Sequence, residues 1–419
     1  MPRRHFGTDG VRGVVGGDLT VELVERLGKA STLWSGAGGV FIGRDTRGSG
    51  PSLEEAFARG VVSAGGNAVL GGVLPTPAVA LLALDLGVVI SASHNPPEYN
   101  GVKFFDRHGS KLTDAAEEEI EALLDEPARG GGRVDRVEIA PESYLRHIVE
   151  RFGSPIDLGV VVDCANGAYS GLAAAALEEV GALVRSIGDA PDGENINVGC
   201  GATNPALLQA TVVDEGYSLG VAFDGDGDRI LAVDHAGRIV DGDQILAILA
   251  LHLGVELVAV TTMTNLGFHR LMEERGIRVV TTDVGDRYVL EALRRERGLL
   301  GGEQSGHIMY LDGHVTGDGL AAALLLCGAI RGRSLAEAAA VMPLYPQAKE
   351  NVRVTRRQVP ERALAEAERL NVALGGRGRV LVRASGTEPM IRVLGEAETV
   401  EEAESLCGTI AALVRRELD

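Results

Sequence analysis

The sequence of 419 residues is long enough for about three domains, or for four small ones. Hydrophobic residues make up 45% of the chain and charged residues 24%, which excludes a disordered or fibrous protein. The 59 Asp and Glu residues outnumber the 40 Lys and Arg residues, and the net charge of −19 argues against nucleic acid as a partner. A small anionic substrate would therefore need a cleft that is locally basic.

The cysteines and the apolar segments bear on the cellular location of the protein. The cysteines lie far apart and form no CxxC pair, as expected for free thiols in a reducing cytosol: Cys164, Cys200, Cys327 and Cys407. The first residues, MPRRHFGTDG, lack the apolar run of a signal peptide. The longest apolar run, near Leu320–Ile330, is too short to span a bilayer. We expect a cytoplasmic protein without a membrane partner.

In chain order, one unit recurs: a short β-branched run, a polar glycine-rich loop and an amphipathic helix. These runs predict strands at Gly39–Gly43, Val88–Ile90, Val160–Asp163, Gly220–Phe223, Val258–Thr262, Val279–Asp283 and Leu299–Gly302. Because the runs are continuously apolar rather than alternating, they indicate an α/β fold with buried, largely parallel sheets. Ligands collect at the carboxyl ends of such strands, where the polar loops lie.

Helix signals and chain breaks complete the pattern. Thr113 is predicted to cap a helix with an acidic first turn, and Thr399–Leu418 is predicted as a helix with early acids and late arginines. Glu126–Arg136 contains proline and three glycines, so we expect a loop near a domain boundary. A second junction is predicted near Pro343–Pro346. The strand, helix (Pro360–Leu374), strand, loop, strand and helix that follow indicate a smaller α+β domain.

The strongest chemical signal is the acidic stretch DGDGDR. Asp224, Asp226 and Asp228 alternate with glycines, so an extended turn can bring the three carboxylates to one point. Three hard oxygen ligands suit Mg²⁺, which takes further oxygens from phosphate or water. A calcium EF-hand does not fit, because Arg229 and His235 occupy the positions of its required glycine and glutamate. A solvated acidic turn remains an alternative, as does an aspartyl-phosphate enzyme with Asp224 as nucleophile and Asp226 as acid.

A second polar loop, Ser91–Pro97, follows a predicted strand with the sequence SASHNPP. A serine beside His94 at the end of a strand suits a nucleophile or a phosphate carrier, and an ordinary Asn-Pro turn is the alternative. Lys103 follows closely. Only 4 of the 40 basic residues are lysines, and a lysine can release a proton whereas an arginine cannot.

Three further loops carry groups that bind sugars or phosphates. Gly302–His307 (GEQSGH) offers a carboxylate, an amide and a hydroxyl for sugar hydroxyls, with His307 as a candidate acid or base. Arg383–Pro389 together with Arg392 has the composition of a phosphate cradle. FGTDGVRG adds Arg12 as a further anion ligand. The plain alternatives are a helix-entry loop, a polar hairpin and a surface arginine.

Together these motifs resemble the α-D-phosphohexomutase family. The resemblance runs nearly from end to end in the family's order, through FGTDGVRG, SASHNP, NGVKFF, VVDCANGA, NINVGCG, DGDGDR, VGDRYV, GGEQSGHI and RASGTEPMIRV. It implies three similar mixed-sheet α/β domains and a smaller C-terminal α+β domain around a central cleft. The implied domains are 1–153 with a phosphoserine loop, 154–241 with a metal-binding loop, 242–344 with a sugar-binding loop and 345–419 with a phosphate-binding loop.

The resemblance also implies roles for single residues in catalysis. Ser93 would carry a phosphoryl group, and Arg12 and Arg229 would contact it. One Mg²⁺ per chain would be held by that phosphoserine together with the three acids of the DGDGDR loop, Asp224, Asp226 and Asp228. Positions associated with proton transfer match Lys103 and His307, with His94 nearby.

For the substrate, the resemblance implies a small sugar phosphate. Glu303 and Ser305 would contact its hydroxyls, and its phosphate distant from the chemistry would be bound by Arg383, Ser385, Gly386, Thr387 and Arg392. GEQSGH with Gln304, VGDRYV and NINVGCG favour the members that interconvert glucosamine 6-phosphate and glucosamine 1-phosphate through a hexosamine 1,6-bisphosphate, a supply step for UDP-N-acetylglucosamine and the cell wall. The alternatives are a glucose or mannose phosphate mutase of the same family, an aspartyl-phosphate phosphatase, and a non-catalytic protein that binds a sugar phosphate or calcium. A monomer or a homodimer is expected.

Overall fold

The computed structural model describes residues 4–7, 9–36, 38–128, 130–355, 358–385 and 389–418. The described residues form two compact units. The first unit takes residues up to 263 together with 276–341, and the second takes 264–275 together with 342–418.

The first sheet of the first unit is built from the N-terminal part of the chain. Its strands lie in the order β1-β5-β4-β2-β3-β6, in which β4, β2, β3 and β6 are parallel and β5 runs antiparallel to both of its neighbours. In chain order the elements are β1 (Val11–Val14), α1 (Val21–Ser35), β2 (Gly39–Arg44), α2 (Gly50–Ser63), β3 (Asn67–Val73), α3 (Thr76–Leu81), β4 (Leu86–Ile90), β5 (Tyr99–Asp106), α4 (Asp114–Ala122), β6 (Val134–Arg136) and α5 (Ala140–Phe152).

Helices α1 and α2 cross at two glycines that allow their backbones to touch. A Cβ atom on Gly28 would lie 2.3 Å from the carbonyl oxygen of Phe57, and one on Gly60 would lie 2.0 Å from that of Glu25. Both distances are shorter than a van der Waals contact, so a larger residue at either position would push the helices apart. The crossing covers a core of aliphatic residues and phenylalanines between the helices and the sheet.

The predicted loop over Glu126–Arg136 is wrong at its end, because β6 occupies its last residues and pairs in parallel with β3. Val134 and Arg136 are exposed, so the strand has no apolar pattern that a sequence could reveal. Backbone hydrogen bonds hold it instead, from the amide of Ala68 to the carbonyl of Arg133 (2.9 Å) and from Val137 to Leu70 (2.9 Å).

The second and third sheets repeat the same plan with fewer strands. The second has the order β11-β10-β9-β7-β8, with elements β7 (Gly159–Asp163), α6 (Leu172–Glu179), β8 (Leu183–Ile187), α7 (Ala206–Glu215), β9 (Leu219–Phe223), β10 (Ile230–Asp234) and β11 (Ile239–Val240). The third has the order β13-β12-β14-β15. The elements that follow β11 are α8 (Gly242–Leu253), β12 (Leu257–Thr261), α9 (Leu266–Glu274), β13 (Arg278–Thr282), α10 (Asp286–Glu296), β14 (Leu300–Gly302), β15 (Ile308–Tyr310), α11 (Gly319–Ala329) and α12 (Leu335–Ala339).

Each of these sheets combines parallel strands with antiparallel ones, which confirms the mixed sheets that the family resemblance implied and corrects the largely parallel sheets inferred from the apolar runs alone. The change of direction falls between β4 and β5, between β9 and β10, and between β14 and β15. In every case a short loop joins the last parallel strand to the first antiparallel strand. The loop sequences are SASHNPPE, DGDGDR and EQSGH, the polar segments already singled out.

The second unit is an antiparallel sheet in the order β16-β18-β17 with helices packed against it. Its C-terminal elements are β16 (Gln347–Arg353), α13 (Glu361–Leu374), β17 (Arg379–Ala384), β18 (Met390–Glu396) and α14 (Val400–Leu418). Helix α9 joins it: the amide of Leu266 donates to the Glu396 carboxylate (2.9 Å), and Arg270 donates to the carbonyl of Gly376 (2.8 Å).

The α/β fold with a smaller C-terminal α+β domain is confirmed. The seven strands predicted from β-branched runs all exist, with ends within two residues of the predicted ones. Thr113 caps α4, accepting from the amide of Ala116, and the final helix is present. The domain boundaries and the central cleft stay predictions. Among the helices in the described part of the chain, none combines the length and the apolar character needed to cross a membrane.

Candidate active site

The loop between β4 and β5 presents Ser93 in an unusual backbone conformation. Ser93 is buried and has φ of 54°, in the left-handed region that non-glycine residues rarely adopt. Its Oγ donates a hydrogen bond to Oδ2 of Asp224 (2.6 Å) and lies 3.2 Å from Nδ1 of His94. The hydroxyl therefore faces the acidic loop of the neighbouring sheet.

The acidic loop between β9 and β10 brings its three aspartates together. Oxygen atoms from Asp224, Asp226 and Asp228 all lie within 4.8 Å of one another, and the three residues are buried. The intervening glycines are required by space, since a Cβ on Gly225 would lie 2.7 Å from the carbonyl oxygen of Ser93. On Gly227, which has φ of 76°, a Cβ would lie 2.4 Å from the ring of Tyr169.

Crowding and burial alter how these carboxylates ionise. Burial, followed by repulsion from Asp228 and Asp226, raises the pKa of Asp224 to about 7. Burial would also raise the pKa of Asp228, but the opposing charges of Lys103 and His307 outweigh it and hold that pKa well below the ordinary value. Neighbouring positive charges thus compensate the ionised carboxylate of Asp228, whereas they do not compensate that of Asp224.

The donor set fits a divalent cation. Oδ1 of Asp226 and Oδ1 of Asp228 are buried, yet neither has a hydrogen-bond partner among the described residues. Buried carboxylate oxygens without partners are unstable unless a cation compensates them. A small, hard ion such as Mg²⁺ prefers such oxygens, and the three aspartates are the residues that would hold it.

Basic residues surround the acids. Nζ of Lys103, on β5, lies 2.5 Å from Asp226 and 3.3 Å from Asp228, and these charges outweigh burial and raise the pKa of the lysine. The backbone amide of Arg229 donates to Asp224 (3.2 Å), and its guanidinium lies 3.5 Å from His94. Burial, with the positive charges of Arg229 and Arg12, lowers the pKa of His94 to about 4. His94 is therefore neutral at pH 7.

The GEQSGH loop between β14 and β15 adds His307 and Glu303 to the same unit. His307 is buried with Nδ1 at 3.6 Å from Asp228 and Nε2 at 3.4 Å from Asp286. Burial lowers the pKa of His307, but Asp286 and Asp228 outweigh burial and raise it above the ordinary value. Glu303 is buried and accepts from the amide of Gly285 (3.0 Å), whereas Ser305 is exposed.

Sequence reasoning missed a set of charged residues that links these loops. Asp9 contacts the guanidinium of Arg12 and Nζ of Lys103 (3.3 Å). Lys111 bridges Asp9 (2.6 Å) and Asp286 (2.5 Å). A signal existed: lysine is rare in this chain, and Lys111 lies eight positions after Lys103.

The candidate phosphate clamp lies on the sheet of the second unit. Arg383 on β17 pairs directly with Arg392 on β18, so both side chains project from the same face. Two guanidinium groups on one face of a sheet can bind the oxygens of a single phosphate. The amide of Ser385 donates to the carbonyl of Met390 (2.9 Å) and closes the hairpin. Gly386 and Thr387, also predicted for this site, lie outside the described residues.

The predicted catalytic and metal-binding residues thus lie in the first unit, and the predicted phosphate-binding arginines, Arg383 and Arg392, lie in the second. In the first unit the loops after β4, β9 and β14, with the strands β1 and β5, supply Arg12, Ser93, His94, Lys103, Asp224, Asp226, Asp228, Arg229, Glu303 and His307. Acids for a cation, a hydroxyl as acceptor and basic groups for phosphate oxygens are the parts that phosphoryl transfer requires.

Comparison with known families agrees with this class of site. Sequence models of the phosphoglucomutase/phosphomannomutase family match all four of its domains: alpha/beta/alpha domain I at residues 3–129, domain II at 142–237, domain III at 241–345 and the C-terminal domain at 350–413. The chain belongs to the phosphoglucomutase/phosphomannomutase family.

Within this family, the chain is similar to several phosphoglucosamine mutases. The chain is 47% identical to the phosphoglucosamine mutase of Thermobifida fusca, over 99% of both chains. It is 48% identical to the phosphoglucosamine mutase of Moorella thermoacetica, over 96% of this chain and 97% of that one. Among solved structures, a phosphoglucomutase/phosphomannomutase family protein from Burkholderia thailandensis has the same fold, with a TM-score of 0.89, 23% identity and coverage of 99% and 98%.

Proposed function

We propose that this protein is an enzyme that interconverts glucosamine 6-phosphate and glucosamine 1-phosphate, the phosphoglucosamine mutase reaction. The observation that carries the proposal is the hydroxyl of Ser93, buried and 2.6 Å from an acidic cluster that fits a divalent cation. The 47% and 48% identity with phosphoglucosamine mutases, over nearly the whole chain, supports the amino sugar as the substrate.

In the proposed reaction, the working enzyme carries a phosphoryl group on Oγ of Ser93. A hydroxyl of the sugar phosphate attacks the phosphorus, so that one P–O bond forms as the bond to Ser93 breaks. The sugar hydroxyl loses a proton and Oγ gains one, which leaves a 1,6-bisphosphate and a free serine. The bisphosphate then turns around and returns its other phosphoryl group to Ser93 by the reverse of this step. The same bisphosphate primes an enzyme that lacks its phosphoryl group.

The cation, Mg²⁺ in this proposal, would be held by Asp224, Asp226 and Asp228 and by the phosphoserine. When bound, it would offset the negative charge of the phosphoryl oxygens and of the three carboxylates together.

The protein's own residues position the group and move the protons. Arg12 and Arg229 are proposed to contact the phosphoryl oxygens, because guanidinium groups match phosphate geometry. His94, neutral and 3.2 Å from Oγ, can hold a hydrogen bond to the serine. Lys103 and His307 are proposed for proton transfer. The contacts of Lys103 with Asp226 and Asp228 raise its pKa and keep it protonated in the metal-free protein.

The substrate is proposed to be bound at two places. Glu303 and Ser305 would contact the sugar hydroxyls. The phosphate that does not react would be bound by the hairpin of the second unit, through Arg383, Ser385, Gly386, Thr387 and Arg392. One clamp can serve both orientations of the intermediate, because it binds a phosphate whichever carbon carries it.

The test compares three substrates under one set of conditions. Glucosamine, glucose and mannose 6-phosphates are each supplied with Mg²⁺ and a trace of the matching 1,6-bisphosphate, and the 1-phosphate is followed by ³¹P NMR. We expect kcat/KM for glucosamine 6-phosphate to be higher by about tenfold or more. Faster turnover of glucose or mannose phosphate would assign the chain to that branch of the family. Release of inorganic phosphate without any 1-phosphate would point to a phosphatase instead.

A further inference from the structure

A buried arginine holds the backbone of the Ser93 loop. Arg47, which follows β2, is fully buried, and all five of its N–H donors are used. Nε donates to Asp45 (2.9 Å), and Nη2 donates to the carbonyl oxygens of Ser93 (2.9 Å) and Asn95 (2.8 Å). Nη1 donates to the carbonyl oxygens of Tyr99 (2.9 Å) and Pro96. One side chain thus binds three carbonyl groups of the loop that carries the nucleophile and a fourth at the first residue of β5.

The partner of this arginine holds the other side of Ser93. Asp45 is fully buried and accepts from the hydroxyl of Ser91 (2.6 Å), while the same hydroxyl accepts from the amide of Ser93 (2.9 Å). Arg47 therefore fixes the carbonyl of Ser93, and Asp45, through Ser91, fixes its N–H. Asn197, from the connection between β8 and α7, adds a bond from its Nδ2 to the same carbonyl (2.9 Å).

The backbone of Ser93 requires such support. Its φ of 54° is unfavourable for a residue with a Cβ, so the loop would relax toward an ordinary turn without fixed partners on both peptide groups. Relaxation would rotate the Cα–Cβ bond and carry Oγ away from Asp224, which it now contacts at 2.6 Å. Because the five bonds of Arg47 need a planar fork with fixed directions, lysine cannot replace it.

We infer that Arg47 is a positioning residue: through the carbonyl groups of residues 93–99 it sets the backbone of Ser93 so that Oγ points at the acidic cluster. This inference rests on the proposed function for its effect on turnover, but not for its effect on the loop. Arg47 touches neither the phosphoryl group nor the substrate in this assignment. Its loss therefore lowers the rate of the transfer step and leaves substrate binding nearly unchanged.

The experiment uses the full-length protein with three substitutions. Arg47→Lys keeps the charge and removes the fork. Ser91→Ala removes only the bridge to the Ser93 amide and leaves the buried ion pair intact. Arg44→Lys is the matched control, since Arg44 lies in the same segment and contacts Glu54 (3.5 Å) and the carbonyl of Asp45 (3.2 Å) rather than residues 93–99. Each variant is measured for kcat, KM, thermal unfolding and backbone amide hydrogen exchange.

We expect Arg47→Lys to lower kcat by about 10²-fold, because a displacement of about 1 Å at the reacting atom has an effect of that size. KM should stay within about threefold. Ser91→Ala should lower kcat by about tenfold, for the loss of one hydrogen bond, and Arg44→Lys should stay close to the unsubstituted protein. The backbone amides of Ser93, His94, Asn95, Glu98 and Tyr99 should exchange about tenfold faster in Arg47→Lys than in the control.

Two results would overturn the inference. One is exchange of the measurable amides between Ser93 and Tyr99 that matches the control in Arg47→Lys. The other is a loss of kcat that appears equally in Arg44→Lys and follows the melting temperature. If Arg47→Lys does not fold, Asp45→Asn takes its place in both comparisons, since it keeps the side-chain shape but weakens the bond to Nε of Arg47. If the unsubstituted protein has no mutase activity, the proposed function fails, and the exchange data still decide whether Arg47 holds the loop.

Discussion

Asp224 is the residue at which the electrostatic cost of the acidic cluster is largest. It is buried, one of its carboxylate oxygens lies within 4.8 Å of oxygens of Asp226 and Asp228, and burial together with repulsion from Asp228 and Asp226 raises its pKa to about 7. The metal-free folded protein therefore keeps a proton on Asp224 at a pH where the unfolded chain has released it. Folding and proton release are coupled at this position.

This coupling predicts a pH dependence of stability with a definite sign. Between the ordinary pKa of 3.8 and the folded value of about 7, the unfolded state binds fewer protons, so the free energy of unfolding falls as pH rises. In metal-free protein, the free energy of unfolding should fall between pH 5 and pH 7.5. The fall should be larger for the unsubstituted chain than for Asp224→Asn by about 1 kcal/mol or more. Mg²⁺ should reduce the difference, since it favours the ionised cluster. Parallel curves for the two proteins would contradict the assignment.

Single residues of the site differ in how visible they are in the sequence. Asp224, Asp226 and Asp228 are recognisable because alternation with glycine is itself a geometric signal. Asp9 and Asp286 are not, because each becomes part of the site only through a lysine that lies far away in the chain. No local pattern marks such a pair.

At the scale of elements, the three functional loops share one structural position. Each joins a parallel strand to an antiparallel one, over residues 91–98, 224–229 and 303–307. The apolar runs predict the strands but do not tell whether two strands pair in parallel or antiparallel, because the apolar pattern of a buried strand is the same in either case. The lengths of these loops do indicate antiparallel pairing, since a connection between parallel strands needs about a dozen residues or more and each loop is shorter than that.

The turn of the third loop provides a test at this scale. Gly306 has φ of 92°, and a Cβ there would lie 1.9 Å from the carbonyl oxygen of Ile230. Gly306→Ala should therefore lower the free energy of unfolding by about 2 kcal/mol or more. It should also lower kcat, because His307 follows directly. Denaturant titration and steady-state kinetics provide the two measurements.

Gly254→Ala is the control for that substitution. Gly254 has φ of 62° at the end of α8, but a Cβ there would meet nothing within 4 Å. It should show only the conformational cost of a left-handed alanine, about 1 kcal/mol, with unchanged kcat. Equal losses for the two variants would mean that the close approach to Ile230 has no energetic effect.

At the scale of the whole molecule, the proposed function assigns a role to each of the two units. The cross-strand pair of Arg383 and Arg392 predicts that the second unit binds the phosphate that does not react. Arg392→Ala should raise KM for glucosamine 6-phosphate and for glucosamine 1-phosphate alike, by about tenfold or more, since hydrogen bonds to charged groups are the strong ones. The control is Arg362→Ala, an exposed arginine of the same unit paired with Glu417. An increase of KM for only one substrate would exclude a shared clamp.

The organisation of the chain was predictable only in part. The change of pattern near residue 345 correctly indicated a smaller C-terminal α+β domain. That helix α9 joins this unit was not foreseen, because its contacts depend on residues far away in the sequence: the amide of Leu266 bonds to Glu396, 130 positions later. Sequence periodicity describes an element and its buried face, but not the distant segment that it packs against.

The central claim is that Ser93 carries the transferred phosphoryl group. Peptide mass spectrometry after incubation with a hexose 1,6-bisphosphate and Mg²⁺ tests it directly. The expected result is one phosphate on the peptide that contains Ser93, absent from Ser93→Ala, whose kcat should fall by about 10²-fold or more. A base-labile phosphate on Asp224, or full activity of Ser93→Ala, would contradict the claim.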